Sequence, residues 1–115
     1  MKKILVVDDD ENILDVVKMF LSSYGFDVYT HTRGADVTEV VRFYHPHLIL
    51  LDIGLFGKSG TQICKELKQK HNIPIILVSA DTRKGKLFTE CEADGFVEKP
   101  FDVKRLVKVI KLHLN

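Results

Sequence analysis

The chain alternates between short unbroken apolar runs and longer segments whose apolar residues recur every three or four positions. Residues 3–8, Leu48–Asp52, 73–79 and 95–99 are runs of the first kind. Short and mostly continuous in apolarity, they read as strands buried on both faces. Residues 26–30 form a fifth, less apolar run, which predicts an edge strand. Leu48–Asp52 is the most hydrophobic of the five and is expected at the centre of the sheet.

The helical segments lie between these runs. Residues 11–24 predict a helix with Ile13, Val17, Phe20, Leu21 and Tyr24 on its apolar face, Asp10 as N-cap and Gly25 as its stop. Arg33-Gly34-Ala35 opens a second helix bearing Val37, Val40, Val41 and Tyr44, which His45-Pro46 ends. Residues 61–71 predict a third, with Ile63, Cys64 and Leu67 inward and lysines outward. Residues 81–92 predict a weakly amphipathic fourth helix with Leu87, Phe88 and Cys91 inward. Asp102 caps a fifth, with Val103, Leu106, Val107, Ile110 and Leu114 inward. The order is (βα)5, an α/β chain with a doubly wound, parallel five-stranded sheet covered on both faces. The winding direction switches between the first and third strands, and ligands of such sheets bind there, outside the carboxyl ends.

Four of the strands end on polar residues suited to phosphate chemistry: Asp8-Asp9-Asp10, Asp52, Ser79 and Lys99-Pro100. Clustered carboxylates repel one another and resist ionising, so the group is stable near neutral pH only with a cation. Oxygen donors favour a hard octahedral ion, Mg²⁺ above all. Asp9 and Asp52 are expected as direct ligands, with Asp8 nearby and a backbone carbonyl just after Asp52 adding an oxygen. Gly54 is expected to permit that close approach. Lys99 offers a point charge and Ser79 a donor for phosphate oxygens. A carboxylate nucleophile with fixed cations and donors around it is what phosphoryl transfer to an aspartate requires. Singly these residues have plain explanations, since Asp caps helices and Lys-Pro ends strands. Their joint placement at four strand ends carries the argument.

At 115 residues, 45% hydrophobic and 29% charged, the chain fits one domain spanning residues 1–115. Its net charge of +1 gives no bulk case for nucleic acid. No apolar stretch approaches the roughly 20 residues of a membrane span, and the start is too short in apolar residues for a signal peptide. A cytoplasmic protein is expected, with neither nucleic acid nor membrane as a direct partner. Cys64 and Cys91, the two cysteines, read as small, partly buried thiols.

From Lys3 to the last helix the chain resembles the receiver domain of two-component response regulators. The residues that carry the resemblance are Ile4-Leu5-Val6-Val7-Asp8-Asp9-Asp10, Leu50-Leu51-Asp52 with Gly60 eight residues on, Val78-Ser79-Ala80, and Phe96-Val97-Glu98-Lys99-Pro100-Phe101. The resemblance implies a flavodoxin-like fold with strand order 2-1-3-4-5. It implies that Asp52 accepts a phosphoryl group from a histidine kinase or histidine phosphotransfer protein. It further implies Mg²⁺ held by Asp9, Asp52 and the Gly54 carbonyl with Asp8 assisting, Ser79 and Lys99 on the phosphoryl group, and a cis Lys99–Pro100 bond. Phe96 takes the place of the family's aromatic switch residue, and small Ala80 leaves its ring room. The face made by the fourth helix, fifth strand and fifth helix is the implied output or dimer surface. Such a chain is a phosphoacceptor rather than an enzyme, either a single-domain regulator resembling the chemotaxis one or a receiver from a longer protein.

Two positions depart from the family pattern. Leu55-Phe56 stands where Met-Pro is usual, within a glycine-rich loop, and Asp81 lies two residues after Ser79, beside the path of an attacking water. Two rival readings follow. One is a Mg²⁺ phosphohydrolase of the haloacid dehalogenase type, which needs Asp-x-Asp after its first strand and a cap domain. The other is a receiver-like binding module that works without phosphate.

Overall fold

The computed structural model describes residues 1–54, 59–80, 91–99 and 102–114. Along them run β1 (Lys3–Val7), α1 (Glu11–Ser23), β2 (Asp27–His31), α2 (Val37–Tyr44), β3 (Leu48–Asp52), α3 (Gly60–Lys70), β4 (Ile75–Ser79), β5 (Gly95–Glu98) and α4 (Val103–His113). The five strands are all parallel and lie in the order β2-β1-β3-β4-β5. This is the order and sense expected, with β3 at the centre and β2 at an edge. Residues 81–90 of the helix expected over 81–92, the loop residues Leu55, Phe56 and Gly57, and the Lys99–Pro100 bond lie outside the described residues, while Cys91 and Glu92 form a turn with Glu92 at φ +64°.

Strand alternation sends side chains into two cores, one on each sheet face. Ile4, Val6, Leu48, Leu50, Ile76 and Val97 meet Leu14, Val17 and Leu21 of α1 and Leu106, Val107 and Ile110 of α4. Leu5, Val7, Ile49, Leu51, Ile75 and Leu77 meet Val37 and Val41 of α2 and Ile63, Cys64 and Leu67 of α3. Every residue of β3 and β4 is therefore buried, which is why those runs are apolar without a break. Burying each such aliphatic side chain is worth roughly 1.5–3 kcal/mol. At the edge, β2 buries Val28 but exposes Asp27 and Tyr29.

The helix ends follow local chemistry. Asp10 caps α1, its carboxylate accepting from the Asn12 N–H at 2.9 Å and the Ile13 N–H at 3.4 Å. Gly25 ends that helix at φ +91°, where a side chain would be strained. Ser59 caps α3 by accepting from the Gln62 N–H, and Asp102 caps α4 by accepting from the Lys104 N–H.

Four expectations shift. The inward arc of α1 is Leu14, Val17 and Leu21, while Phe20 and Tyr24 are exposed. Those two lie on the flank toward α4, and the Tyr24 ring centroid is 5.6 Å from Lys111 Nζ. α2 begins at Val37 rather than near Arg33. The carboxylate of Asp36, the residue before it, bonds His31 Nε2 at 2.7 Å and makes no cap bond. β4 begins at Ile75, immediately after Pro74, which has no N–H for a ladder. Cys64 and Cys91 are wholly rather than partly buried. The Cys64 thiol donates to the Cys91 carbonyl at 3.4 Å, and burial pushes it above the ordinary thiol range.

Candidate functional site

Register brings the strand ends together. Val7 pairs with Leu51 and Asp52 with Val78, while Ser79 pairs with Glu98. The next residues of β1 and β5, Asp8 and Lys99, are tied in by backbone bonds. The Asp8 N–H donates to the His31 carbonyl at 3.1 Å, and the Lys99 N–H donates to the Ser79 carbonyl at 2.8 Å. Asp8, Asp52, Ser79 and Lys99 thus form a row across one edge of the sheet, from residues as far apart as 8 and 99.

The carboxylates of Asp8, Asp9 and Asp52 each place an oxygen within 4.8 Å of the others. Asp8 and Asp52 are buried, and Asp9 is exposed at the mouth. Lys99 Nζ lies 2.7 Å from Asp8 Oδ2 and 3.7 Å from Asp52 Oδ1. Asp8 Oδ1 also accepts the Asp10 N–H at 3.0 Å, and the Gly54 N–H donates to Asp52 Oδ1 at 3.3 Å. Beneath Asp8 and Asp52 is a cavity of about 10 Å³ walled mainly by Val6, Ile13, Val17, Leu50, Val78 and Leu106, so the carboxylates rest on an apolar floor. Burial, and then the charge of Asp8, push the Asp52 carboxyl above its ordinary range; Lys99 and the Gly54 N–H pull the other way without winning. Three acids with one ammonium among them are short of positive charge. The donors are all oxygens and one is open to solvent, so the residues fit a hard divalent cation that keeps several waters.

Ser79 is buried at the end of β4. Phe96 of β5 is half-buried, lies across from Leu77, and packs against the core of α2 and α3. Alternation puts Phe96 and Ser79 on the same face of the sheet. The structure therefore gathers Asp8, Asp9, Asp52 and Lys99 into one cluster, with Ser79 in the adjoining row and Phe96 one strand over. Gly54 stands two residues after Asp52.

A Cβ on Gly54 would meet nothing within 4 Å. Gly60 is the crowded position. A Cβ on it would lie 2.4 Å from the Asp52 carbonyl oxygen and 2.7 Å from Ile53 Cα. The first turn of α3 packs directly on the end of β3, where the Gly60 N–H donates to the Ile53 carbonyl at 3.0 Å. The direct bond between Lys99 and Asp8 was also not read from the sequence, because opposite charges 91 positions apart carry no local signal.

Residues 4–111 match the family model described as the response regulator receiver domain. Among solved structures, the BeF3-activated N-terminal receiver domain of Klebsiella pneumoniae RstA is 30% identical, with a TM-score of 0.94 over 99% of each chain. A CheY-like response regulator receiver domain protein from Methanospirillum hungatei is 27% identical, with a TM-score of 0.91 over 99% of this chain and 94% of that one. Brucella abortus NtrX is 30% identical with a TM-score of 0.88, over 99% of this chain but 27% of that one.

Proposed function

Because this chain belongs to the response regulator receiver domain family, we propose that it is a phosphorylation switch with Asp52 as the acceptor. The observation that carries this reading is the acidic cluster of Asp8, Asp9 and Asp52, closed on one side by Lys99. A histidine kinase or histidine phosphotransfer protein is the donor. An Asp52 carboxylate oxygen forms a bond to phosphorus as the donor's phosphorus–nitrogen bond breaks. Asp9, Asp52 and the Gly54 carbonyl would hold Mg²⁺, with Asp8 assisting. When bound, Mg²⁺ supplies the positive charge that lets Asp52 ionise and that offsets charge on the phosphoryl oxygens. Lys99 stays beside Asp52 and meets a phosphoryl oxygen as an ammonium. The Ser79 hydroxyl donates to another. The floor under Asp8 and Asp52 is lined by aliphatic side chains that offer the acceptor no hydrogen-bond donor from behind.

The readout follows from packing. Ser79 moving toward the phosphoryl group vacates space on the sheet face it shares with Phe96, and the ring follows. A local charge event thereby biases a surface with two arrangements. The changed surface is the face of β5 and α4, read by a downstream protein or by an output domain of a longer chain. The chain has no catalytic task beyond its own phosphorylation and dephosphorylation, residues 1–115 act as one receiver domain, and the setting is cytoplasmic.

The deciding experiment is intact mass after incubation with Mg²⁺ and acetyl phosphate. The expected result is a gain of one phosphoryl group that is absent in Asp52→Asn and without Mg²⁺. An unmodified mass with no phosphate released would favour a phosphate-independent binding module, and steady hydrolysis of small phosphate esters would favour a phosphohydrolase.

A further inference from the structure

The net charge of +1 conceals a segregation that folding creates. α4 exposes Lys104, Arg105, Lys108 and Lys111 and contains no acidic residue. α1 lies beside it on the same sheet face. The acids of α1, Glu11 and Asp15, line a groove with Thr30 and Thr32 at the β2 end, away from α4. The remaining flank of α1 exposes Val16, Met19, Phe20 and Tyr24, and Leu112 of α4 adds to it at 65% exposure. Five of the eight large hydrophobics exposed among the described residues therefore lie on this pair of helices. Scattered exposed apolar residues need no explanation, but a group bordered by four cations does.

We propose that this two-helix face is a peripheral docking surface for an anionic lipid bilayer. Lys104, Lys108 and Lys111 recur at four- and three-residue steps, so they form one ridge along α4. The lysine stems can lie along apolar surface while their ammoniums reach headgroup phosphates. Met19, Phe20 and Leu112 supply the apolar contact at the boundary of headgroups and acyl chains. Tyr24 and Lys111 meet across the seam between the helices. An anionic lipid surface is complementary to the positive charge of α4. No helix among the described residues is long and apolar enough to cross a membrane, and peripheral contact needs none. The expectation of no membrane partner rested on average charge and on the lack of a span. Neither measures how charge is distributed after folding. The face runs along the helix sides and leaves the Asp52 edge open at their amino ends.

The test is co-sedimentation of the protein with vesicles of phosphatidylcholine alone and of phosphatidylcholine with phosphatidylglycerol, at low and physiological salt. Binding is expected only with the anionic lipid and should weaken with salt. Each cation near an anionic surface is worth about a fivefold change in partition, so Lys104→Glu with Lys108→Glu should lower binding at least about tenfold. The control pair Lys65→Glu with Lys70→Glu, exposed on α3, makes the same change in net charge on the other side and should keep most of the binding. Met19→Ser with Leu112→Ser should also lower it. Thermal melts of every variant establish that the fold persists. No binding to anionic vesicles at low salt would overturn the proposal, and so would equal losses in the two charge-reversal pairs.

Discussion

Lys99 Nζ is a full ångström closer to Asp8 than to Asp52, at 2.7 Å against 3.7 Å. The ammonium that is to serve the acceptor is held by its neighbour, and the two buried carboxylates share it. Removing it by Lys99→Met leaves both acids uncompensated. Breaking a mostly buried pair in this way should cost roughly 3 kcal/mol in urea unfolding without divalent cations. Mg²⁺ should then restore more stability to the variant than it adds to the parent, since it binds a more negative site.

Asp52 predicts the opposite effect when it is neutralised. Its folded pKa is raised by burial and by Asp8, so the folded state holds the proton more tightly than the unfolded chain does. That contribution is fully present below the ordinary carboxylate pKa and is lost as pH rises through the raised one. Asp52→Asn should therefore melt higher than the parent at neutral pH in chelator, by about 2–6 °C. The difference should shrink toward acid pH. A variant that melts lower at pH 7 would contradict the crowding described at this site.

The two glycines near Asp52 should behave differently. Gly60→Ala drives a Cβ into the Asp52 carbonyl and Ile53 backbone, and backbone cannot swing aside as a side chain does. A loss of about 1–3 kcal/mol is expected in denaturant unfolding, with weakened stabilisation by Mg²⁺. Gly54→Ala meets open space and should stay within about 0.5 kcal/mol.

Tyr44 supplies a pH test remote from the site. Its hydroxyl donates to the Asp27 carbonyl at 2.9 Å, and burial followed by the charge of Asp27 pushes its pKa up to about 12. Between the ordinary value of 10.0 and that raised value, the unfolded chain releases a proton that the folded one keeps. Stability should fall as pH rises across that window, and Tyr44→Phe should flatten the fall. Ultraviolet titration should show one phenol ionising late in the parent and not in the variant.

Much of this molecule was legible in its sequence because the determining signals are local. Unbroken apolar runs located the strands, since both sheet faces are covered. Asp10, Gly25 and Asp102 marked helix ends through bonds to residues within a turn. The polar strand ends pointed to the cluster because a parallel sheet collects carboxyl ends on one edge. What could not be read depends on contacts between distant segments. Phe20 and Tyr24 fit the helical period, yet the inward arc of α1 is filled by Leu14, Val17 and Leu21, with Ile13 partly buried beside them. Gly54 and Gly60 flank the same loop, and only the packing of α3 on β3 shows which of them must lack a side chain. Asp36 had a helix start to cap and is bonded to His31 instead.

The span of the Asp8–Lys99 bond, 91 positions, also bears on how the chain folds. Without β5 beside β4, the carboxylates of Asp8, Asp9 and Asp52 would converge without their ammonium. Docking of the last strand is therefore coupled to charge compensation at the ends of the first and third, which disfavours partial structures that lack it.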